Sequence, residues 1–388
     1  MVARVSPALR LSVFYATLFG LVGIHLPFWP VWLAGRGLDS FQIGVVTAVG
    51  LAVRAVSSPV IGSLADRARD RRTVMVAAAA VALLSVGLFH VAGGFAGIVF
   101  ATIVLTISHG ALGPLIENLA MLLATASGFS YGRVRSLGSV AFILMSAGGG
   151  WLVAGRSSEI VLTVVTIWLV LTVIAAFFLP EPPPVPHGAP RGEAMPLLRQ
   201  PMFRWLLLAV MLIQASHAVF YAFGTLEWRR NGLGDGIIGL LWAVGVAGEV
   251  VFFVFAQSVL KRVGPLALLM LAGAGGVVRW TLMSVVTAWP LLLAVQLLHA
   301  ASFACCHLGM MVVLSRAVPI THSATAQGLC ASIAFALGMG AMMAVSGLLY
   351  AAYGADAYRW MAVSAALGIA AAAMVRKRWD GGALDLTR

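Results

Sequence analysis

The sequence predicts an all-α membrane protein with twelve transmembrane helices in two pseudo-symmetric bundles of six. Three observations lead there: the composition, the placement of the cations, and an internal repeat. The 388 residues are 61% hydrophobic and only 10% charged, whereas an ordinary soluble domain is about a quarter charged. A helix needs roughly 20 apolar residues to cross a bilayer, so a chain of this length has room for about twelve. Barrel strands would appear as roughly ten-residue segments of alternating polarity, and no stretch of this chain alternates in that way.

The formal charge of +12 follows topology. Lys and Arg fall mainly in alternate loops, as they do on the cytoplasmic side of membrane proteins. With both termini cytoplasmic, that side takes Arg67, Arg69, Arg71, Arg72, Arg133, Arg135, Arg191, Arg199, Lys261, Arg262, Arg316 and the Arg376–Arg378 cluster, while Arg36, Arg156, Arg229, Arg230 and Arg359 lie opposite. No nucleic-acid partner is expected; the partners are the lipid bilayer, here a bacterial inner membrane, and a small-molecule substrate, with the chain acting as a monomer. Cys305, Cys306 and Cys330 sit in apolar runs without metal-ligand spacing and read as small buried hydrophobes. The first apolar run is too long for a signal-peptide core and is expected to remain as the first span.

Taken in order, the spans are expected at about 9–33, 41–65, 73–92, 96–122, 130–154, 159–179, 204–228, 237–260, 264–288, 290–315, 323–349 and 357–375. Between the sixth and seventh lies EPPPVPHGAPRGEAMP, whose prolines and charges cannot continue a helix. This gives an N-terminal bundle over 1–179, a cytoplasmic linker over 180–203 and a C-terminal bundle over 204–388. The second half echoes the first. Gly37-Leu38 before the second span matches Gly232-Leu233 before the eighth. Ile43-Gly44 and Ile238-Gly239 each precede a charge by ten residues, Arg54 in one case and Glu249 in the other. In the fourth span His109 leads Glu117 by eight; in the tenth His299 leads His307 by eight. Such duplication places a substrate between the halves near the middle of the bilayer.

A charge at that depth is expensive and should face the protein interior, a partner or water. Arg54 lies on a small, polar stripe of Thr47, Gly50, Ser57 and Ser58; Glu249 shares its face with Trp242, Gly245 and Phe253. Either the pair lines a cavity, with a cation on one wall and a carboxylate beside aromatics on the other, or it is a fixed ion pair. Glu117 follows Pro114 and is expected on a kinked helix, with Arg133 or Arg135 at the start of the fifth span as its partner. Arg279 is too deep to be a loop anchor. Gln214, His217 and Tyr221 form a polar stripe on the seventh span, as His25 with Trp29 does on the first. His299 and His307 are candidates for proton relay or for donating to a carboxylate. There is no phosphate-binding loop, nucleotide-binding glycine motif or nucleophile elbow. No enzyme is expected, and no cofactor apart from the proton as coupling ion.

The loop after the second span, GSLADRARDRRTV, resembles the major facilitator superfamily motif, and the resemblance extends over the whole chain through span count and central loop. It implies the major facilitator fold and a cytoplasmic gate made by Gly62, Asp66, Arg67, Arg71 and Arg72. The second-half counterpart of Asp66 is Lys261, so that gate belongs to one half only. Within the superfamily, YGRVRSLGSVAF and QASHAVFYAFGTLEW with IGLLWAVGVAGEV resemble the phenylpropionate permease family, related to lactose-permease-like proton symporters. By span, the resemblance places Glu117, Arg133 or Arg135, Glu249, Arg279 and His299 where such symporters keep their working charges. One position departs: those symporters carry a carboxylate one turn after the tenth-span histidine, where this chain has Ser302 and Phe303.

The expected function is proton-coupled import of a small organic solute by alternating access. The deep cations Arg54, Arg133, Arg135 and Arg279 against Glu117 and Glu249 suit an anion, and the resemblance implies an aromatic carboxylate. Substrate contacts are expected from Arg54, Arg279, Trp242, His217, Tyr221, His299, His25 and Gln214. Glu249, with Glu117 as understudy, is expected to carry the proton: an arginine, Arg54 or Arg279, holds it ionised until a substrate carboxylate competes. Proton-driven efflux, sugar or nucleoside symport, and a non-transporting receptor or membrane enzyme are the alternatives.

Overall fold

The computed structural model describes residues 6–67, 71–181 and 193–386, apart from the side chains of Asp66 and Arg67. Among the described residues there are helices and no strand. Eleven helical stretches are long and apolar enough to cross a membrane, and the last, Ile320–Arg378, runs for 59 residues. Such a stretch measures roughly 90 Å along its axis, several times the apolar thickness of a bilayer. It turns back at Gly354, where φ is +55°, and so supplies the eleventh and twelfth crossings.

The chain forms two compact units, Met1–Pro186 with Gly232–Ala243 and His187–Asn231 with Val244–Arg388. The 232–243 stretch thus groups with the first unit, although it lies within the C-terminal bundle of the sequence division. Close backbone contact explains it. A Cβ added to Gly239 would stand 2.3 Å from the Ser146 carbonyl oxygen, and one on Gly150 would stand 2.2 Å from that of Asp235. Only glycine permits that approach.

The first unit contains α1 (Pro7–Gly35), α2 (Ser40–Arg67), α3 (Arg71–Val91), α4 (Gly94–Ser127), α5 (Tyr131–Val153) and α6 (Glu159–Phe177). The Ser6 hydroxyl caps α1 by accepting from the Leu9 N–H, with Pro7 in the first turn, where its missing N–H costs nothing. Gly128 ends α4 in the left-handed region and Ser130 caps α5 two residues later. Leu11, Phe14, Tyr15, Met75, Leu112 and Ile116 are buried at its core.

Prolines inside these helices set a second constraint. A proline removes the donor for the carbonyl four residues earlier, and a bilayer offers no water to replace it. Pro27 so frees Gly23, and the Ser146 hydroxyl on α5 donates to that carbonyl at 3.0 Å. Pro114 frees Gly110, and the Ser58 hydroxyl on α2 donates to that one at 3.2 Å. The two proline-bearing helices are thereby tied to their neighbours at the freed carbonyls.

In the second unit, α7 (Ala194–Arg199) leads into α8 (Pro201–Ala215) and α9 (Ala218–Arg230), two halves of one span broken at Ser216–His217. Then come α10 (Asp235–Val254), α11 (Ala256–Arg262) and α12 (Pro265–Met283). The next span is α13 (Trp289–His299), a π-helical insert at Ala300–Ala304 and α14 (Cys305–Ala317). α15 (Ser323–Leu329), a second π insert at Cys330–Gly338 and α16 (Met339–Tyr353) precede α17 (Ala357–Arg378). Leu206, Val210, Leu269, Cys306, Val313 and Val375 form the buried core. The glycines of the repeat do the same job in both halves: φ is +82° at Gly37 and +80° at Gly232, a region that costs other residues strain.

Ser58→Ala removes the donor for the Gly110 carbonyl and is expected to lower stability by about 1 kcal/mol. In a Pro114→Ala background, where residue 114 regains its N–H, most of that cost should disappear. Thermal melting of the two singles and the double variant in detergent measures it; equal costs in both backgrounds would contradict the assignment.

Candidate functional site

Two polar clusters stand at membrane depth, one in each unit. In the second unit the hub is Arg279 on α12, fully buried. A Cβ on Gly275, one turn earlier, would lie 2.8 Å from the Ala301 side chain, so the missing side chain lets α12 close onto the π insert. The guanidinium carbon lies 4.6 Å from the Phe220 ring centroid and 4.5 Å from that of Trp280. Its NH2 donates to Gln296 Oε1 at 2.7 Å, and its NH1 reaches His299 Nδ1 at 2.9 Å and Ser302 Oγ at 3.3 Å.

These partners assign the protons. Arginine only donates, so His299 Nδ1 accepts and the ring carries its hydrogen on Nε2. That nitrogen faces Glu249 Oε2 at 3.6 Å. His217 is assigned the same way: its Nδ1 lies 3.1 Å from the Gln214 carbonyl and must donate, leaving Nε2 to accept from Ser302 Oγ at 3.2 Å. Arg279 donates to His299, whose far edge faces Glu249, and a donor chain runs from Arg279 through Ser302 and His217 to the Gln214 carbonyl. Both imidazoles are neutral in this arrangement.

Glu249 thus has the edge of the His299 ring before it, and Arg279 stands on the other side of that ring. Aromatic rings enclose the cluster: Tyr221 stacks on His217 at 5.6 Å, Trp280 meets it edge-on at 5.0 Å, and Phe303 stacks on His299 at 5.2 Å. Gln214 is fully buried, and neither of its amide side-chain atoms has a hydrogen-bond partner. Trp242 is buried on α10 two turns before Glu249, in the segment that groups with the first unit.

In the first unit, Glu117 on α4 meets Arg135 on α5, with Nε 2.8 Å from Oε1. Tyr131 donates its hydroxyl to the other carboxylate oxygen. The Arg135 guanidinium also covers the Phe19 ring at 4.1 Å. Arg133, the other partner considered, is exposed and outside this pair; two residues apart on a helix, the side chains diverge. Arg54 is exposed on α2, its stem against Gly110 and Gly113 of α4. His25 stacks on Trp29 at 4.7 Å.

Of the gate residues, the side chains of Asp66 and Arg67 lie outside the described residues. Gly62 has open space where a side chain would be, and Arg71 donates to Asn118 on α4 at 2.6 Å. Sequence reasoning missed Gln296 and the bonding role of Ser302, though Gln296, His299 and Ser302 recur every three residues and mark one face. It also missed Glu227, a buried carboxylate held by Tyr350 at 2.7 Å and Asn231 at 3.1 Å; its place beside Arg229 and Arg230 made it look like part of a loop. Among the described residues, no group of three or more His, Cys, Asp or Glu is arranged to hold a metal ion.

Residues 8–360 match the model of the MFS_1 like family. The chain is 34% identical over 313 residues to a probable 3-phenylpropionic acid transporter of Escherichia coli, covering 78% of this chain and 80% of that one. It is 28% identical to the maltose permease of Geobacillus stearothermophilus, over 69% of this chain and 68% of that one. Among solved structures, the nucleoside transporter NupG superposes with a TM-score of 0.80 at 16% identity, over 97% of this chain and all of that one. The D-xylose-proton symporter gives a TM-score of 0.72 at 17% identity, over 97% and 99%.

Arg135→Gln leaves the Glu117 carboxylate without its cation and is expected to cost about 1–2 kcal/mol, the pair being only partly buried. Arg133→Gln should stay within about 0.5 kcal/mol of the parent. Thermal unfolding separates the two, and an equal effect would remove the distinction drawn between them.

Proposed function

The chain belongs to the MFS_1 like family, transporters of the major facilitator superfamily, and from that premise we propose that it imports an aromatic carboxylate together with a proton. It is a multi-pass membrane transporter and not an enzyme. The observation that carries the proposal is the chain from Arg279 through His299 to Glu249. A carboxylate at membrane depth faces an imidazole N–H at 3.6 Å, and that imidazole is in turn polarised by a buried guanidinium. Such an arrangement stabilises one negative charge; a second weakens it.

A substrate carboxylate that draws on one of the deep arginines, Arg54 or Arg279, adds negative charge that opposes ionisation of Glu249. Glu249 then takes up a proton. Substrate and proton together add no net charge, so the loaded and empty forms carry the same charge through the bilayer. A monoanion with one proton is electroneutral, and only the pH gradient drives it, at about 1.4 kcal/mol per pH unit. In the second unit the aromatic rings around His217 and His299, with Tyr221 and Gln214, give the apolar body of the solute its surface; Trp242 and His25 are the candidates in the first unit. Glu117, held by Arg135 and Tyr131, is the second candidate for the proton. The 34% identical relative named for 3-phenylpropionic acid supports the substrate class. The location that goes with this reading is a bacterial inner membrane with both termini cytoplasmic.

A neutral sugar is the competing substrate class, supported by the maltose permease likeness. Vesicles loaded with the purified protein decide between them, and the direction of flux under an imposed pH gradient separates import from efflux. In the same vesicles Glu249→Gln should abolish uphill accumulation of 3-phenylpropionate while equilibrium exchange persists. Accumulation that continues unchanged would remove Glu249 as the proton carrier, and loss of accumulation in Glu117→Gln alone would transfer the role.

A further inference from the structure

The repeat that pairs Arg54 with Glu249 also pairs His109 with His299, in the fourth and tenth spans. In the second unit these positions meet, His299 Nε2 lying 3.6 Å from the Glu249 carboxylate. In the first unit the corresponding histidine stands beside a cation. A Cβ on Gly110, the residue next to His109, would be 3.1 Å from Arg54 Cγ, and one on Gly113 would be 3.7 Å from Arg54 NH2. The arginine stem thus lies against Gly110 and its guanidinium near Gly113 of α4, and the Ser58 hydroxyl bonded to the Gly110 carbonyl holds α2 in register there. His25 on α1 also lies within electrostatic range of the His109 ring.

Two features of this cluster are unresolved within the protein. Nε2 of His109 is buried and has no hydrogen-bond partner. Arg54 is exposed, and among the described residues it makes no ion pair or hydrogen bond. An orphaned buried nitrogen and an unneutralised cation at membrane depth are each costly, and their placement on facing helices gives both one remedy, an anion. The second unit carries its own anion at the matching position. The first unit carries a cation there, so its histidine and its charge call for the same complement.

We infer that Arg54 and Nε2–H of His109 form an anion clamp within the first unit, and that it takes the carboxylate of the transported solute. The inference rests on the aromatic-carboxylate reading above and names the arginine that serves it. Arg279 is fully enclosed with its NH1 and NH2 groups engaged, whereas Arg54 is open. His109 donates from Nε2 and Arg54 supplies the charge, so the pair binds a carboxylate and rejects the corresponding amide. His25, stacked on Trp29, adds a partly open imidazole beside an aromatic surface.

The test compares binding of 3-phenylpropionate and 3-phenylpropionamide to the full chain in nanodiscs by calorimetry. The parent protein is expected to prefer the acid by ten-fold or more. His109→Phe should reduce that preference by roughly ten-fold, about 1.4 kcal/mol, and Arg54→Gln should abolish it, with affinity for the amide unchanged in both. His109→Gln, which keeps an N–H donor, should retain most of the preference. Were His109 only a packing residue, Phe would raise the melting temperature and leave the acid-to-amide ratio within two-fold, and that result overturns the inference while the substrate reading stands. His109→Ala repeats the measurement without added volume should the Phe variant not fold. A parent protein that binds acid and amide alike overturns the substrate reading and the clamp with it.

Discussion

The bilayer core provides no hydrogen-bonding solvent, and this absence shapes much of the polar bonding in the chain. Backbone amides find their partners within helices, but prolines and side chains at depth must find theirs elsewhere in the protein. The carbonyls freed by Pro27 and Pro114 are taken by Ser146 and Ser58 from neighbouring helices. The same demand organises Arg279, whose NH1 and NH2 groups donate to His299, Ser302 and Gln296. Kinks, helix registers and donor chains are consequences of one requirement.

That requirement also sorts the deep charges. Glu117 is neutralised locally by Arg135 and Tyr131, and Glu249 is reached from Arg279 through an imidazole. A guanidinium and a phenol stand against the Glu117 carboxylate, and an imidazole edge stands against that of Glu249.

Much of this was legible in the residues. Apolar runs of twenty or more, a proline-rich interruption and loop-confined cations specify a twelve-helix chain, because bilayer thickness leaves few alternatives. The repeat marked Arg54, Glu249 and His299 as deep polar positions. Other parts were hidden for physical reasons. The partner of Glu117 depended on which of two arginines faced α4, a matter of helix rotation that a count of residues leaves open. Glu227 looked like a loop residue until Tyr350, distant in sequence, was seen to close over it. The grouping of 232–243 with the first unit follows from backbone contact at Gly150 and Gly239, which composition does not display.

The π insert at Ala300–Ala304 has a further consequence. A turn closed by i→i+5 bonds advances fewer degrees per residue than an ordinary α turn. His299 and His307 straddle that insert, whereas His109 and Glu117 sit on a helix without one. The two pairs share a spacing of eight along the chain yet point in different relative directions. Glu117 reaches out to α5, while His307 lies near Phe253 and Phe335. The two halves share the order of the letters, and a single widened turn gives the second pair a different compass bearing.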